Sequence, residues 1–80
     1  MNSKTAEPAL GWYTLEMAAD SVIEDFWYGP KNPSRRDIGL ALCERLDYAD
    51  REGYYMPGPV SLESTIDVVL ERLAISYINQ

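Results

Sequence analysis

The 80-residue sequence contains no histidine and only one cysteine, Cys43. These absences exclude a zinc site built from histidine and cysteine, a disulfide within the chain, and a Ser-His or Cys-His nucleophile pair. A chain of this length forms one small domain that buries only about 60% of its unfolded surface, which leaves little room for a deep active site. We therefore expect one domain over residues 1–80, a flexible terminus at residues 1–7, and neither metal nor cofactor.

Basic residues are scarce: the sequence contains seven basic and 13 acidic residues, which gives a formal charge of −6. Binding to nucleic acid or to an anionic bilayer depends on Lys and Arg neutralising phosphates. The charge therefore argues against both and favours a protein partner with a basic surface. Long apolar runs are also lacking, since none approaches the about 18 residues of a membrane span and the N-terminus carries no apolar leader segment. We expect a cytoplasmic protein.

Glycine and proline divide the remaining sequence into amphipathic segments. The first segment spans about residues 12–28, and its apolar residues recur at helical spacing: Leu15, Ala18, Ala19, Val22, Ile23 and Phe26. Gly29-Pro30 should end this helix, because glycine accepts a left-handed cap and proline cannot continue the ladder. Its start is open between Pro8 in the first turn and Thr14 as the cap.

Two further helices follow. Asn32-Pro33 is a restart signal, since asparagine can cap a helix and proline suits its first turn, and it opens a second helix over about residues 33–52 that ends near Gly53. Ser61 is the predicted cap of a third helix over about residues 62–78. The pattern predicts an all-α three-helix domain, with the first two helices antiparallel and the third packed across them.

The third helix is apolar on two sides. One stripe comprises Leu62, Ile66, Val69, Leu70, Leu73 and Tyr77, whereas Val68, Ile75 and Ile78 lie outside it. A helix that is apolar on more than one side is either central in its domain or covered by a partner. In a three-helix domain, two helices are too few to surround the third. We therefore expect a homodimer through Val68, Ile75 and Ile78. The alternative is that these are isolated exposed apolar residues.

The first candidate surface is acidic. Glu16, Asp20 and Glu24 follow one another at four-residue spacing with Asp25 beside them, and residues 6–30 contain no cation. Such carboxylates lie about 6 Å apart along a helix, a spacing comparable with that of backbone phosphates. The row could therefore imitate a nucleic-acid strand and occupy a basic groove. The alternative is an ordinary solvated helix face.

The second candidate surface is basic and comprises Lys31, Arg35 and Arg36 at the start of the second helix. Free amides and the helix dipole favour an anion or a partner carboxylate there. The four-residue turn at 29–32 also has the spacing of a helix-turn-helix, so a DNA-binding regulator is an alternative. A further alternative is internal pairing of these cations with Asp37 or with carboxylates of the first helix.

The third candidate surface is an aromatic loop formed by Tyr54, Tyr55 and Met56. Tyr, Trp and Met are enriched at the centres of protein interfaces, and these three lie beside glycine and proline in a loop that should be exposed. We expect this loop to contact a partner. The alternative for the aromatic residues is that Trp12, Trp27 and at least one tyrosine cover the edge of the core, and this is what we expect of Trp27.

Nothing in the sequence marks an enzyme. Carboxylate pairs such as Asp47 and Asp50 lie on a polar face beside arginines, and Cys43 is followed by an acid rather than a base. The leading expectation is a non-catalytic acidic protein-binding module, an inhibitor or adaptor that docks on a larger, basic, nucleic-acid-binding protein. A virus-encoded inhibitor of a host nucleic-acid machine, such as a CRISPR effector, is a protein of this type. The alternatives are a small helix-turn-helix DNA-binding regulator and a structural homo-oligomer.

Overall fold

A computed structural model describes residues 11–29 and 32–78 of the chain, with side chains as far as Ile75. The predicted flexible terminus at residues 1–7 lies outside these residues. Within them the regular structure is entirely helical, which confirms the all-α three-helix prediction. The three helices are α1 (Leu15–Trp27), α2 (Arg35–Arg51) and α3 (Leu62–Ile78).

The helices begin at hydroxyl caps. The Oγ1 atom of Thr14 accepts a hydrogen bond from the Met17 amide at 3.2 Å, so Thr14 rather than Pro8 determines where α1 starts. At α3, the Ser61 hydroxyl accepts from the Ser64 amide at 3.1 Å, which confirms Ser61 as the cap. The prediction that α1 begins near Trp12 is wrong.

The start of α2 differs from the prediction by two residues. Ser34 rather than Asn32 caps the helix, since its hydroxyl accepts from the Asp37 amide at 3.1 Å while the Asp37 carboxylate accepts from the Ser34 amide at 3.1 Å. This reciprocal pair satisfies two backbone donors at once, one more than a lone asparagine can satisfy. Asn32 instead adopts a left-handed conformation with φ of 56° and turns the chain.

The helix ends also divide between confirmed and wrong predictions. Gly53 ends α2 as predicted, with φ of 86°, a conformation that favours glycine. Its amide donates to Asp50 O at 3.1 Å and the next amide, of Tyr54, donates to Ala49 O at 2.9 Å, which together form a Schellman motif. Gly29 does not take a left-handed conformation, and in the described part of that connection a positive φ occurs at Asn32.

The core lies where the three helices meet, and each helix packs against the other two. Ala18 and Ala19 allow close approach to α1, and at Gly39 an added Cβ would lie 3.4 Å from the Ile66 side chain on α3. The predicted apolar stripes are confirmed as the source of the core. Its buried members are Leu15, Ala18, Ala19, Val22, Ile38, Leu42, Ile66, Val69 and Leu73. Leu62 and Leu70 are half-buried against it, and the side chain of Tyr77 lies outside the described residues.

The core assignment predicts a contrast between two leucines on α2. Leu42 is fully buried whereas Leu40 is 58% exposed. We expect Leu42→Ala to lower the free energy of unfolding by about 2–5 kcal/mol, because it leaves a cavity. This is a large part of the about 4–12 kcal/mol total of an 80-residue chain. The control, Leu40→Ala, should change it by less than about 0.5 kcal/mol. Urea denaturation followed by circular dichroism measures both, and equal losses would contradict the packing described.

Candidate functional site

The acidic row is defined here as Glu16, Asp20 and Glu24, which are exposed along the outer side of α1. The guanidinium of Arg72 on α3 lies 3.8 Å from the Asp20 carboxylate, and both side chains are exposed. Among the described residues, Glu16 and Glu24 form no ion pair. Most of the charge of this row is therefore not neutralised within the fold.

Asp25 does not belong with the acidic row. Its carboxylate pairs with the guanidinium of Arg45 on α2. The same guanidinium donates through Nε to the Ser21 hydroxyl at 2.9 Å and through a terminal nitrogen to the Ala41 carbonyl at 3.1 Å. Asp25 is thus part of the contact between α1 and α2. Its carboxylate, which was predicted to bind a partner, is already paired with Arg45.

The last turn of α1 adds aromatic surface to the acidic row. Trp27 is 41% exposed and Tyr28 is 87% exposed, so neither is part of the core. Trp27 was expected to cover the core edge, yet much of its ring contacts solvent. Glu24 precedes these residues by three and four positions, which places it on the same side of the helix. Carboxylate and aromatic side chains therefore share one continuous surface.

One of the three basic residues at the start of α2, Arg35, is paired within the protein. The Arg35 guanidinium binds the carboxylates of Asp67 and of Glu63 on α3, the latter at 2.8 Å. The hydrogen bonds that Arg35 donates, above all the one to Asp67 and then the one to Glu63, raise the pKa of Arg35 above its ordinary value. Internal pairing was foreseen, but with Asp37 or α1 as partner; Asp37 instead belongs to the capping box. Arg36 is exposed, and Lys31 lies outside the described residues.

The aromatic loop folds back onto the segment that precedes α1. The amides of Trp12 and Tyr13 both donate to the Tyr54 carbonyl at 2.9 Å, and the Met56 amide donates to the Tyr13 carbonyl at 2.9 Å. Tyr13 and Tyr55 form an isolated parallel bridge. These bonds hold Trp12 and Tyr13 in an extended conformation, which is why α1 begins only at Leu15.

The rings of this region form a cluster that sequence reasoning missed. Tyr54 stacks on Trp12 with ring centroids 5.0 Å apart and planes at 10°, while Tyr13 meets Tyr54 edge-on at 6.0 Å. Tyr48 of α2 approaches Tyr54 edge-on at 6.4 Å. Partial burial raises the pKa of Tyr54, with smaller contributions from Tyr48, Glu52 and Tyr13. Tyr54 is thus mainly an internal contact, whereas Trp12 and Met56 remain exposed.

Two of the predicted self-association residues, Val68 and Ile75, lie on the outer side of α3. Val68 is 44% exposed and Ile75 is 51% exposed. They are seven residues apart, two helical turns, and so share one face. The side chain of Ile78 lies outside the described residues. The geometry therefore brings two of the three predicted residues to one face of α3, which we call the α3 strip, with the exposed charged residues Glu71 and Arg72 between them.

Within residues 11–29 and 32–78, no three His, Cys, Asp or Glu side chains are arranged to hold a metal ion. No helix there combines the length and the apolar character needed to cross a membrane. Cys43 is a free, half-buried thiol on α2.

The return of the loop onto the N-terminal segment predicts a glycine requirement. A Cβ at Gly11 would lie 2.4 Å from the Tyr55 carbonyl oxygen, a distance that real Cβ atoms do not show. We expect Gly11→Ala to destabilise the protein by about 1–3 kcal/mol and to change Trp12 fluorescence, because the loop must move. At Gly58 an added Cβ meets nothing within 4 Å, so Gly58→Ala is the control and should leave both unchanged. Identical melting curves for the two variants would contradict this contact.

Comparisons with known proteins do not indicate a function for these surfaces. No protein-family model matches the chain, and neither the curated proteins nor the solved structures include a significant match. A function is therefore inferred from three surface features, namely the acidic row, the aromatic end of α1 and the α3 strip.

Proposed function

We propose that this chain is a non-catalytic protein-binding module that docks through α1 on a larger protein with a basic surface. One observation carries the proposal. The carboxylates of Glu16 and Glu24, which form no ion pair among the described residues, share an exposed surface with Trp27 and Tyr28. Trp and Tyr are enriched at the centres of protein interfaces, whose rim is polar, so exposed rings beside unpaired carboxylates support a docking surface.

The acidic row has an energetic cost that a partner would offset. Like charges four residues apart destabilise a helix by a few tenths of a kcal/mol per pair, about 0.2–0.5 kcal/mol. No arginine or lysine lies within α1 to reduce this repulsion. A basic partner surface supplies the missing cations and also accelerates association by long-range attraction. The rings of Trp27 and Tyr28 would then slow dissociation, since aromatic anchors dominate residence times.

The spacing of the row suggests what kind of protein the partner is. Its members rise about 6 Å apart along the axis, so they can stand in for phosphates in a groove that binds a nucleic-acid strand. The module would then act as an inhibitor, or as an adaptor, of a nucleic-acid-binding protein. A virus-encoded inhibitor of a host nucleic-acid machine, such as a CRISPR effector, is an example of this type. The proposed setting is the cytoplasm, where a free thiol such as Cys43 stays reduced.

The test compares two double variants that remove the same charge. Glu16→Gln with Glu24→Gln neutralises the row, whereas Asp50→Asn with Glu52→Gln neutralises two exposed carboxylates at the end of α2. Each immobilised variant is incubated at low salt with lysate of the host cells, and the retained proteins are identified and quantified. We expect the first variant to retain at least about tenfold less of a basic nucleic-acid-binding protein, because that partner loses its counter-charges. The second variant should retain as much as the unmodified chain.

Two outcomes would contradict the proposal. Equal retention by both double variants would mean that the acidic row is merely solvated. Retention of a DNA fragment in place of a protein would favour the helix-turn-helix alternative, which uses the basic start of α2, where Arg35 is bound to α3.

A homodimer through α3 is a second proposal, favoured by the exposed strip of Val68 and Ile75. Light scattering after size exclusion should give about 18 kDa, twice the 9.1 kDa of one chain, because a two-fold interface would bury both strips. Ile75→Glu should return the mass to that of one chain, while Leu40→Glu, which adds the same charge on α2, should not. If the unmodified chain at a concentration of about 100 µM has the mass of a single chain, the homodimer proposal is contradicted.

A further inference from the structure

A shallow groove of about 750 Å³ lies between the end of α1 and the outer side of α2. Its apolar lining comes from Phe26, Leu40, Ala41 and Cys43, and its acidic lining comes from Asp37, Glu44 and Asp47. We refer to it as the α2 groove. None of the candidate surfaces predicted from the sequence includes it.

Among the apolar side chains of the α2 groove, Leu40 is exposed and the others are half-buried. Leu40 lies among polar residues on the outer side of α2 and is 58% exposed, so it adds little to the core. Phe26 packs partly against the core and presents the rest of its ring to the groove. Together with Ala41 they form a small apolar floor of the size that one large aliphatic or aromatic side chain covers.

The charges around this floor have one sign. Three of the seven lining residues are acidic and none is basic. In the part of the chain that the structure describes, Asp37, Glu44 and Asp47 form no ion pair. Asp37 accepts one hydrogen bond from the Ser34 amide, and its carboxylate is otherwise exposed. The complementary ligand therefore combines an apolar anchor with flanking cations.

We infer that the α2 groove binds a basic amphipathic helix of the partner protein, with an apolar side chain over Leu40 and Lys or Arg side chains on the three carboxylates. This inference rests on the proposed function and specifies which segment of the partner is bound. It adds a second contact surface to the acidic row, on a different helix.

The spacing of the carboxylates favours a helix over an extended peptide. Asp37 and Glu44 are seven residues apart, about 10.5 Å along the axis, with Leu40 between them. A partner helix repeats its surface at the same interval, so cations seven residues apart reach both carboxylates from one face. An extended peptide covers that distance in about three residues, and residues three apart point to opposite sides of a strand.

The experiment uses the whole chain and a defined probe. The probe is a fluorescein-labelled amphipathic helical peptide of about 18 residues, or five turns, made of leucine and lysine at helical spacing. A peptide of the same composition in an order without helical periodicity is the control ligand. Fluorescence anisotropy at low salt should show that the chain binds the helical peptide at least about tenfold more tightly than the control, because only the former presents an anchor with flanking cations.

Matched variants then locate the binding site. Asp47→Lys should weaken binding of the helical peptide by at least about tenfold, whereas Asp50→Lys should weaken it by less than about threefold, since Asp50 is exposed on α2 but does not line the groove. Leu40→Ala should weaken it several-fold while leaving the melting temperature unchanged. Circular dichroism of each variant verifies folding, and Asp47→Asn replaces Asp47→Lys if the latter fails to fold.

The outcomes separate this inference from the proposed function. Equal losses for Asp47→Lys and Asp50→Lys, or no effect of Leu40→Ala, would overturn the groove and leave the acidic row untouched. Loss of peptide binding in the Glu16→Gln, Glu24→Gln variant alone would place the peptide on α1 and also overturn the groove. If the groove variants weaken peptide binding as expected while the α1 variants leave partner capture unchanged, the groove stands and the α1 proposal fails.

Discussion

The turn that follows α2 determines how the N-terminal segment lies against the helices. Gly53 adopts a left-handed conformation, and the Tyr54 amide bonds back to the Ala49 carbonyl, so the chain reverses at once. The reversal brings the Tyr54 carbonyl to the amides of Trp12 and Tyr13, which both donate to it. One carbonyl oxygen thereby satisfies two backbone donors ahead of α1. The start of α1 and the end of α2 are joined at this point.

Three arginines join the helices in pairs and leave the outer carboxylates unmatched. Arg45 links α2 to α1, Arg35 links α2 to α3, and Arg72 of α3 approaches Asp20 of α1. Exposed ion pairs of this kind contribute little to stability, but they occupy the scarce cations. Acidic residues outnumber basic ones by 13 to seven, so few cations remain for the other carboxylates. Among the described residues these carboxylates are exposed, and most of them lie on α1 and α2, with Glu71 on α3. Most of the unpaired negative charge of the described residues is therefore on the surfaces of α1 and α2.

Local signals predicted the fold well because each depended on neighbouring residues. Helical periodicity identified the core stripes, and Thr14, Ser61 and Gly53 marked helix ends through bonds within one turn.

The predictions that failed depended on contacts between distant segments. Trp12 and Tyr13 have helical spacing with the residues that follow, but their amides are taken by a carbonyl some forty positions away. Asp25 could not be separated from the acidic row by sequence, since its partner Arg45 is on another helix. The α2 groove was missed because Leu40 reads as an isolated apolar residue until Phe26 of α1 lies beside it.

The end of α1 is where the proposed surfaces meet. Phe26 lines the α2 groove, and Trp27 and Tyr28 follow it in sequence and are exposed beside Glu24 of the acidic row. Two acidic surfaces on different helices are thus connected through one aromatic turn. A partner that places a basic helix along α2 would bring its neighbouring surface toward this turn, so the contacts of one surface would position those of the other. Such coupling means that affinity for a whole partner exceeds what either surface provides alone, because the second contact forms at high effective concentration once the first is made.

The α3 strip, Val68 and Ile75, is on a helix that does not line the α2 groove. Self-association through α3 would therefore present two copies of the groove to the same partner, and the affinity of a dimeric module would depend on whether that partner carries one basic helix or two.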